Sequence, residues 1–182
     1  MSDDYAVLTI GHSTRPIDVF VGLLARQNVA VLADVRRFPG SRTQPQFGRE
    51  ALRGALDAAG IRYEWFEALG GRRKAASDSQ NLRWRNASFR GYADYMESAA
   101  FRSAFDALVT LADAQRTAIM CAEVLWWRCH RALLSDALQA SGRPVAHIGP
   151  DGNLIAHPYT PAAHIVDGRV RYDDGEQGAL AL

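Results

Sequence analysis

Lysine and cysteine are both scarce in this chain. Lys74 is the only lysine among 21 basic residues, so arginine carries nearly all of the positive charge. The two cysteines, Cys121 and Cys129, lie close together in the chain, which is a poor use of a disulfide as a long-range staple and favours a reduced compartment. With 20 acidic residues the net charge is +1, which argues against a polycation that coats nucleic acid non-specifically.

Long hydrophobic runs are also missing. The first apolar segment, residues 5–10, is too short for the core of a signal peptide, and acidic residues precede it where such a peptide is positively charged. No segment approaches the roughly 20 apolar residues that cross a bilayer. We therefore expect a cytoplasmic protein with no membrane partner, while its oligomeric state stays open.

Strand and helix patterns alternate along the chain. Short apolar runs predict five strands, at residues 5–10, 29–33, 61–66, 117–121 and 144–148. Such alternation is typical of βαβ units, so we predict one α/β domain over residues 1–182. Its sheet is expected to be mostly parallel, with about five strands and with helices on both faces. A turn signal at residues 150–153 favours a C-terminal hairpin in the extension 149–182.

Chemically reactive side chains follow three of the predicted strands. Because ligands of open α/β sheets bind outside the carboxyl ends of the strands, we expect these side chains to share one site. They are His12 and Ser13 after the first strand, Asp34, Arg36 and Arg37 after the second, and Cys121 and Glu123 at the fourth. We predict that His12, Asp34 and Glu123 exchange or orient protons, and that the arginines bind phosphate. Burial of the carboxylates in ion pairs with arginine is an open alternative.

The tripeptide Cys129-His130-Arg131 stands at a predicted helix start. Free amide groups and the positive end of a helix bind anions there and lower the pKa of a thiol. Cys129 is therefore a candidate nucleophile, His130 a candidate acid or base, and Arg131 a candidate ligand for an anion. Cysteine is also commonly buried for packing alone, so a structural role stays open.

Zinc binding is an alternative use of four of these residues, His12, Cys121, Cys129 and His130. The spacing Cys-x7-Cys-His is not a standard zinc signature. We therefore assign no metal ligand, and the cofactor stays unknown.

Basic and aromatic residues alternate in two segments. Between residues 72 and 90, six basic residues stand against Asp78 alone. This pattern is typical of loops that stack the bases and hold the phosphates of a single-stranded nucleic acid, although a solvated loop with a tryptophan anchor is an alternative. The candidate ligand-binding residues are Arg72, Arg73, Trp84 and Arg85 in this segment, and Trp126 and Trp127 just before Cys129.

Five segments, in this order, resemble one protein family. They read TIGHST at residues 9–14, DVRRFPGS at 34–41, LGGRR at 69–73, WRNASFRGYADY at 84–95 and CAE-x5-CHR at 121–131. Through them the sequence resembles the bacterial and archaeal "domain of unknown function 488" family over roughly residues 7–148. The resemblance implies a small α/β protein. The family has no established reaction, and some members carry a predicted role in DNA repair.

Three functions follow from these patterns as hypotheses. The leading one is an enzyme, such as a hydrolase or transferase, that acts on a nucleotide or a nucleic-acid phosphate, with a link to DNA repair implied by the resemblance. The second is a thiol-dependent, rhodanese-like sulfur transfer through Cys129. The third is a non-catalytic module that binds nucleic acid or phosphorylated ligands.

Overall fold

The computed structural model describes residues 5–40 and 42–174, and its centre is a six-stranded sheet with the order β3-β2-β4-β1-β5-β6. The strands are Val7–Gly11 (β1), Val31–Asp34 (β2), Arg62–Trp65 (β3), Thr117–Cys121 (β4), Val145–Ile148 (β5) and Leu154–Ala156 (β6). Strands β1 to β5 are parallel, and β6 pairs antiparallel with β5. The predicted α/β class and the mostly parallel sheet are therefore confirmed.

Helices cover both faces of this sheet. Within the described residues they are Ile17–Arg26 (α1), Arg49–Ala58 (α2), Ala87–Met96 (α3), Ala99–Ala114 (α4) and Arg131–Ala140 (α5). Helices α1 and α2 pack with Leu8 and Leu32 on one face, while α3, α4 and α5 pack with Val7 and Ala33 on the other. Neighbouring side chains alternate between the two faces of a strand and both faces are covered, which is why the buried strands are mostly apolar. In this part of the chain no helix has the length and apolar character needed to cross a membrane.

The segment between β3 and α3, which the sequence predicted as a long polar loop, is tied to α3. The Asp94 carboxylate accepts hydrogen bonds from the backbone N–H of Ala76, from the Ser79 hydroxyl and from the Asn81 amide. A Cβ at Gly91 would lie 2.4 Å from the backbone oxygen of Arg73, so only glycine lets the segment cross the helix this closely. The loop is thereby held against the domain beside the carboxyl ends of the strands.

The C-terminal extension packs on the same core. Its turn at residues 150–153 joins β5 to β6, and a separate hairpin follows, His164–Val166 (β7) with Arg169–Arg171 (β8). Tyr172, just after this hairpin, is buried in the cluster that contains α5. A C-terminal hairpin was expected, and the structure has two antiparallel pairings in this region. Residues 1–4, 41 and 175–182 of the predicted domain lie outside the described residues.

Candidate functional site

The carboxyl ends of β2, β4 and β1 are adjacent in the sheet. Gly11 pairs with Cys121, and Asp34 pairs with Met120 one position earlier. The hydrogen bonding between β1 and β4 continues past the end of β1, because the N–H of His12 donates to the Cys121 carbonyl at 3.0 Å. The residues that follow these three strands are thus brought to one edge of the sheet.

Gly11 allows a loop to cross the end of β1. A Cβ at this position would lie 1.9 Å from the backbone oxygen of Glu123, which no other residue would tolerate. The close crossing places the carbonyls of Glu123 and Val124 where they accept hydrogen bonds from the Arg131 guanidinium. Glycine at the strand end therefore helps to position Arg131.

Cys121 and Cys129, here called the thiol pair, form the centre of the site. Their sulfur atoms are 3.0 Å apart, and both cysteines are free thiols. Arg131 Nε donates to both sulfurs, at 3.1 Å to Cys121 and 3.3 Å to Cys129. The backbone N–H of Arg131, in the first turn of α5, lies 3.4 Å from the Cys129 sulfur. Two N–H donors therefore converge on Cys129.

Arg131 is almost completely buried, with 1% of its surface exposed. Besides the sulfurs it donates to the Thr9 hydroxyl at 3.2 Å and to two loop carbonyls. Within the described part of the chain, no carboxylate forms an ion pair with it. A buried cation is costly without a nearby anion, so the arrangement favours a thiolate in the thiol pair. Arg131, which the sequence predicted to bind an anion, therefore donates hydrogen bonds to the two cysteine sulfurs.

Cys129 is the thiol of the pair whose surroundings favour ionisation. Burial opposes its ionisation, but the hydrogen bond from the Cys121 thiol and the charge of Arg131 lower the pKa of Cys129 well below its usual value. Burial and the neighbouring Cys129 sulfur raise the pKa of Cys121 well above its usual value. Cys129 is also the more exposed of the two. These opposite pKa directions favour a thiolate at Cys129 and a thiol at Cys121.

The thiol pair opens into a cavity of about 320 Å³, here called the thiol pocket. Its lining includes Arg37, Arg72 and Arg128, the rings of Phe38 and Phe89, and Glu123. Arg37 donates to the Arg72 carbonyl, and Phe38 is 60% exposed. A cationic and partly aromatic entrance favours a small anion or an anionic group on a larger ligand. A larger cavity of about 430 Å³, beside α4 and β8, contains none of the predicted site residues.

His130 lines the same pocket from the start of α5. Its Nε2 lies 2.9 Å from the Val35 carbonyl, which only accepts, so Nε2 carries a proton. Burial lowers the pKa of His130, which keeps the ring neutral. A Cβ at Gly71 would lie 2.7 Å from Nδ1, so glycine is needed to leave room for this ring.

Asp34 and Arg36 form a buried ion pair beside the thiol pocket. Arg36 donates from its backbone N–H and Nε to one Asp34 oxygen, and from its terminal nitrogen to the other at 2.6 Å. The Tyr63 hydroxyl also donates to Asp34, at 2.7 Å. Another Arg36 nitrogen donates to the Phe47 carbonyl. Asp34 therefore orients Arg36, which forms part of the pocket lining.

His12 belongs to this ion-pair cluster and lies outside the lining of the thiol pocket. Its ring stacks on Phe47 with centroids 4.2 Å apart, and its Nδ1 donates to the Ser13 carbonyl. Nε2 faces Arg36 at 3.3 Å. Burial lowers the pKa of His12 to about 4, so the ring is neutral and supports Arg36.

The remaining predicted ligand residues lie away from the thiol pocket. Arg73 is held over the Tyr95 ring at 3.6 Å, and Trp84 packs edge-to-face against Phe89. Trp126 stacks on His147 with centroids 4.4 Å apart. Arg85 and Trp127 are exposed outside the lining.

A buried chain of hydrogen bonds, which the sequence reasoning missed, leads from Arg131 into the core. Thr9 Oγ1 lies 2.6 Å from His147 Nδ1, His147 Nε2 lies 3.0 Å from His157 Nδ1, and His157 Nε2 lies 3.0 Å from Asp136. Since Arg131 donates to Thr9, each following group can donate to the next with both rings neutral. One signal was present in the sequence: Thr9 and His147 interrupt two apolar strands, and they pair in register.

Acid is expected to destabilise the fold through these buried histidines. Burial lowers the pKa of His147 to about 2 and that of His12 to about 4, from 6.5 when exposed. The unfolded chain therefore binds protons below pH 6.5 that the folded chain does not. The stabilisation that depends on the neutral rings is complete above pH 6.5, and it is lost as the pH falls towards the pKa values of the folded chain. We expect up to about 1.4 kcal/mol per pH unit for each ring.

Urea unfolding between pH 5 and 7.5 measures this slope. This slope counts the protons taken up on unfolding. His147→Gln should lower that number by about one, and adding His12→Asn should lower it by about one more. An unfolding free energy that stays constant between pH 6.5 and 5 would contradict the neutral, buried state of both rings.

Within residues 5–40 and 42–174, no group of three or more histidine, cysteine or acidic side chains is placed to hold a metal ion. The thiol pair instead contacts a guanidinium and backbone groups. The donors around the two sulfurs therefore suit a thiolate.

A family model described as "Domain of unknown function DUF488" matches residues 16–138. The matched region contains the thiol pair, His130, Arg131 and Asp136, and it begins after His12 and ends before His147. Neither the curated proteins nor the solved structures contain a significant match.

Proposed function

This chain belongs to the family of domain of unknown function DUF488, and from its own site we propose that it is a thiol-dependent sulfur-transfer enzyme with a small anionic donor. One observation carries the proposal. The Cys129 sulfur receives two N–H groups of Arg131, lies 3.0 Å from a second thiol and borders an arginine-lined pocket. A residue used only for packing needs no such donors.

The chemistry begins with the Cys129 thiolate. It attacks the electrophilic sulfur of the donor, so a bond forms between the two sulfurs while the donor's bond to that sulfur breaks. The rest of the donor leaves with the electron pair, and Cys129 then carries the added sulfur. Arg37, Arg72 and Arg128 attract the anionic donor and its leaving group, while Arg131 holds the attacking sulfur.

Alkylation of Cys129 tests the proposal directly. We expect its rate to stay constant as the pH falls through about 8.5, the pKa of free cysteine, because the thiolate persists below that value. Iodoacetate should react faster relative to iodoacetamide than it does with free cysteine, since the arginines attract its carboxylate. The double variant Arg72→Gln/Arg128→Gln should slow iodoacetate about tenfold and leave iodoacetamide unchanged.

The controls separate charge at the pocket from charge elsewhere. Arg169→Gln removes an exposed arginine on β8 and should change neither rate. Cys129→Ser should abolish the labelling. Incubation of wild type with thiosulfate should release one sulfite per chain as Cys129 takes the outer sulfur. A thiol that titrates near the value of free cysteine, with no preference for the anionic reagent, would exclude the proposed enzyme.

A nucleotide or single-stranded nucleic acid is a second candidate ligand, and the exposed Phe38 beside Arg37 favours it. A base can stack on such a ring while arginine holds its phosphate. In the same alkylation assay, AMP or oligo-dT should protect Cys129 more than inorganic phosphate does. If inorganic phosphate protected Cys129 equally well, the site would recognise only the anionic group and not the base. A non-catalytic binding module would instead bind these ligands equally well after Cys129→Ser.

A further inference from the structure

Cys121 has no part in a transfer that uses one cysteine, yet it lies closer to the Cys129 sulfur than any other group named in the site. The two sulfurs are 3.0 Å apart, whereas a disulfide bond is about 2.0 Å long, so an approach of about 1 Å would join them. Cys121 is only 3% exposed. Its sulfur is thus shielded from solvent and positioned against Cys129.

We propose that Cys121 is the resolving thiol of this site, so that the enzyme cycles through a Cys121–Cys129 disulfide and takes a dithiol reductant as its second substrate. The inference rests on the proposed function, because Cys129 must first react with a donor. It changes the outcome of the reaction: the sulfur leaves as hydrosulfide and is not handed directly to an acceptor.

Arg131 allows the two sulfurs to act in turn. Its Nε is 3.1 Å from Cys121 and 3.3 Å from Cys129, so one guanidinium serves either thiolate. While Cys129 is ionised, its charge keeps Cys121 protonated. Once Cys129 has bonded to a donor sulfur, its own sulfur is uncharged and the Cys121 proton can pass to the outer sulfur, which leaves Cys121 as the thiolate that Arg131 favours. The geometry thus makes Cys129 react first and Cys121 second.

In the resolving step, Cys121 displaces the transferred sulfur from Cys129. The Cys121 sulfur attacks the Cys129 sulfur, and the bond between Cys129 and the transferred sulfur breaks. The transferred sulfur departs with the electron pair and takes the Cys121 proton, which gives hydrosulfide. A dithiol then supplies two electrons and two protons, is itself oxidised to a disulfide, and restores both cysteines.

The buried guanidinium also makes the disulfide easy to reduce. When the sulfurs are joined, Arg131 keeps its bonds to Thr9 and to the loop carbonyls but loses its anionic partner. An unbalanced buried cation disfavours the oxidised state relative to the reduced one. A couple whose reduced form is stabilised in this way is a strong oxidant, so a dithiol can regenerate the enzyme.

Oxidised glutathione tests the resolving role, because it is an anionic probe with an electrophilic sulfur. In wild type we expect the adduct on Cys129 to be replaced by the Cys121–Cys129 disulfide, with no glutathione retained. Cys121→Ser and Cys121→Ala should both keep one glutathione per chain on Cys129, and Cys129→Ser should retain none. Intact mass and the linked peptide report these states, and dithiothreitol should reverse the wild-type product.

The outcomes distinguish this inference from the proposed function. Wild type that retains glutathione as stably as the Cys121 variants would overturn the resolving role, while the alkylation behaviour of Cys129 would still support a thiol enzyme. Loss of the fast, anion-selective alkylation would overturn the proposed function itself. An absence of adduct and of disulfide in every variant would overturn both. Two different Cys121 replacements keep the test valid if one of them fails to fold.

Discussion

Replacing Arg131 by methionine is expected to lower the unfolding free energy by about 3–5 kcal/mol and to raise the Cys129 thiol pKa towards that of free cysteine. Methionine fills much of the space but donates no hydrogen bond. The Thr9 hydroxyl and the carbonyls of Glu123 and Val124 would lose their donor inside the protein. Urea denaturation measures the stability, and the pH dependence of the alkylation rate measures the thiol pKa.

Arg131→Lys separates charge from geometry. Lysine keeps the cation, so the Cys129 pKa should stay low, but it cannot make the forked set of bonds and should recover only part of the stability. Arg143→Met is the matched control, because Arg143 pairs with Asp113 at the surface and such pairs contribute about 0–1 kcal/mol. If Arg131→Met left the alkylation profile of wild type unchanged, Arg131 would not be the group that stabilises the thiolate.

The edge at which the site forms could be predicted from the sequence, because it depends on short-range patterns. Apolar runs define the strands, and parallel strands bring their carboxyl ends together. That logic placed Asp34 and Cys121 at one edge, and they lie at the ends of adjacent strands. The start of α3 has no such apolar pattern, because the helix begins at Ala87, where Asn86 caps two amides within a polar segment.

The hydrogen-bond partners of each charged group could not be predicted in the same way. An ion pair with a carboxylate was an open alternative for both Arg36 and Arg131, yet Arg36 pairs with Asp34 while Arg131 donates to the two sulfurs. Such pairing depends on how closely loops approach, as where Gly11 admits the Glu123 carbonyl. Tryptophans beside arginines likewise suggested base stacking, but Trp126 is occupied by His147.

The hydrogen-bonded chain from Thr9 to Asp136 could not be predicted from the sequence for a related reason. His147 lies 10 residues from His157, and Asp136 lies 21 residues from His157, so no short sequence spacing links the three. They become a connected set only when β5, the segment after β6 and α5 pack together. Polar residues that interrupt buried strands at the same register are the one local sign of such a set.

Replacing Asp136 by alanine is expected to be the most damaging change at the inner end of this chain. The carboxylate is fully buried and accepts four hydrogen bonds, from His157 Nε2, the Thr160 amide and hydroxyl, and the Tyr172 hydroxyl. Alanine would leave these donors without a partner in the core. We expect the unfolding free energy to fall by about 3–5 kcal/mol, as measured by urea denaturation.

Asp136→Asn tests which property of the carboxylate matters. Asparagine keeps one acceptor oxygen for His157 and the Thr160 N–H and turns its own amide only towards the Thr160 and Tyr172 hydroxyls, so its cost should be clearly smaller than that of alanine. Asp113→Ala removes an exposed carboxylate and should leave the unfolding free energy nearly unchanged. Nitrogen chemical shifts of the imidazole ring should show neutral His147 in wild type. Equal stability of Asp136→Ala and Asp113→Ala would mean that the buried chain does not hold the C-terminal extension to α5.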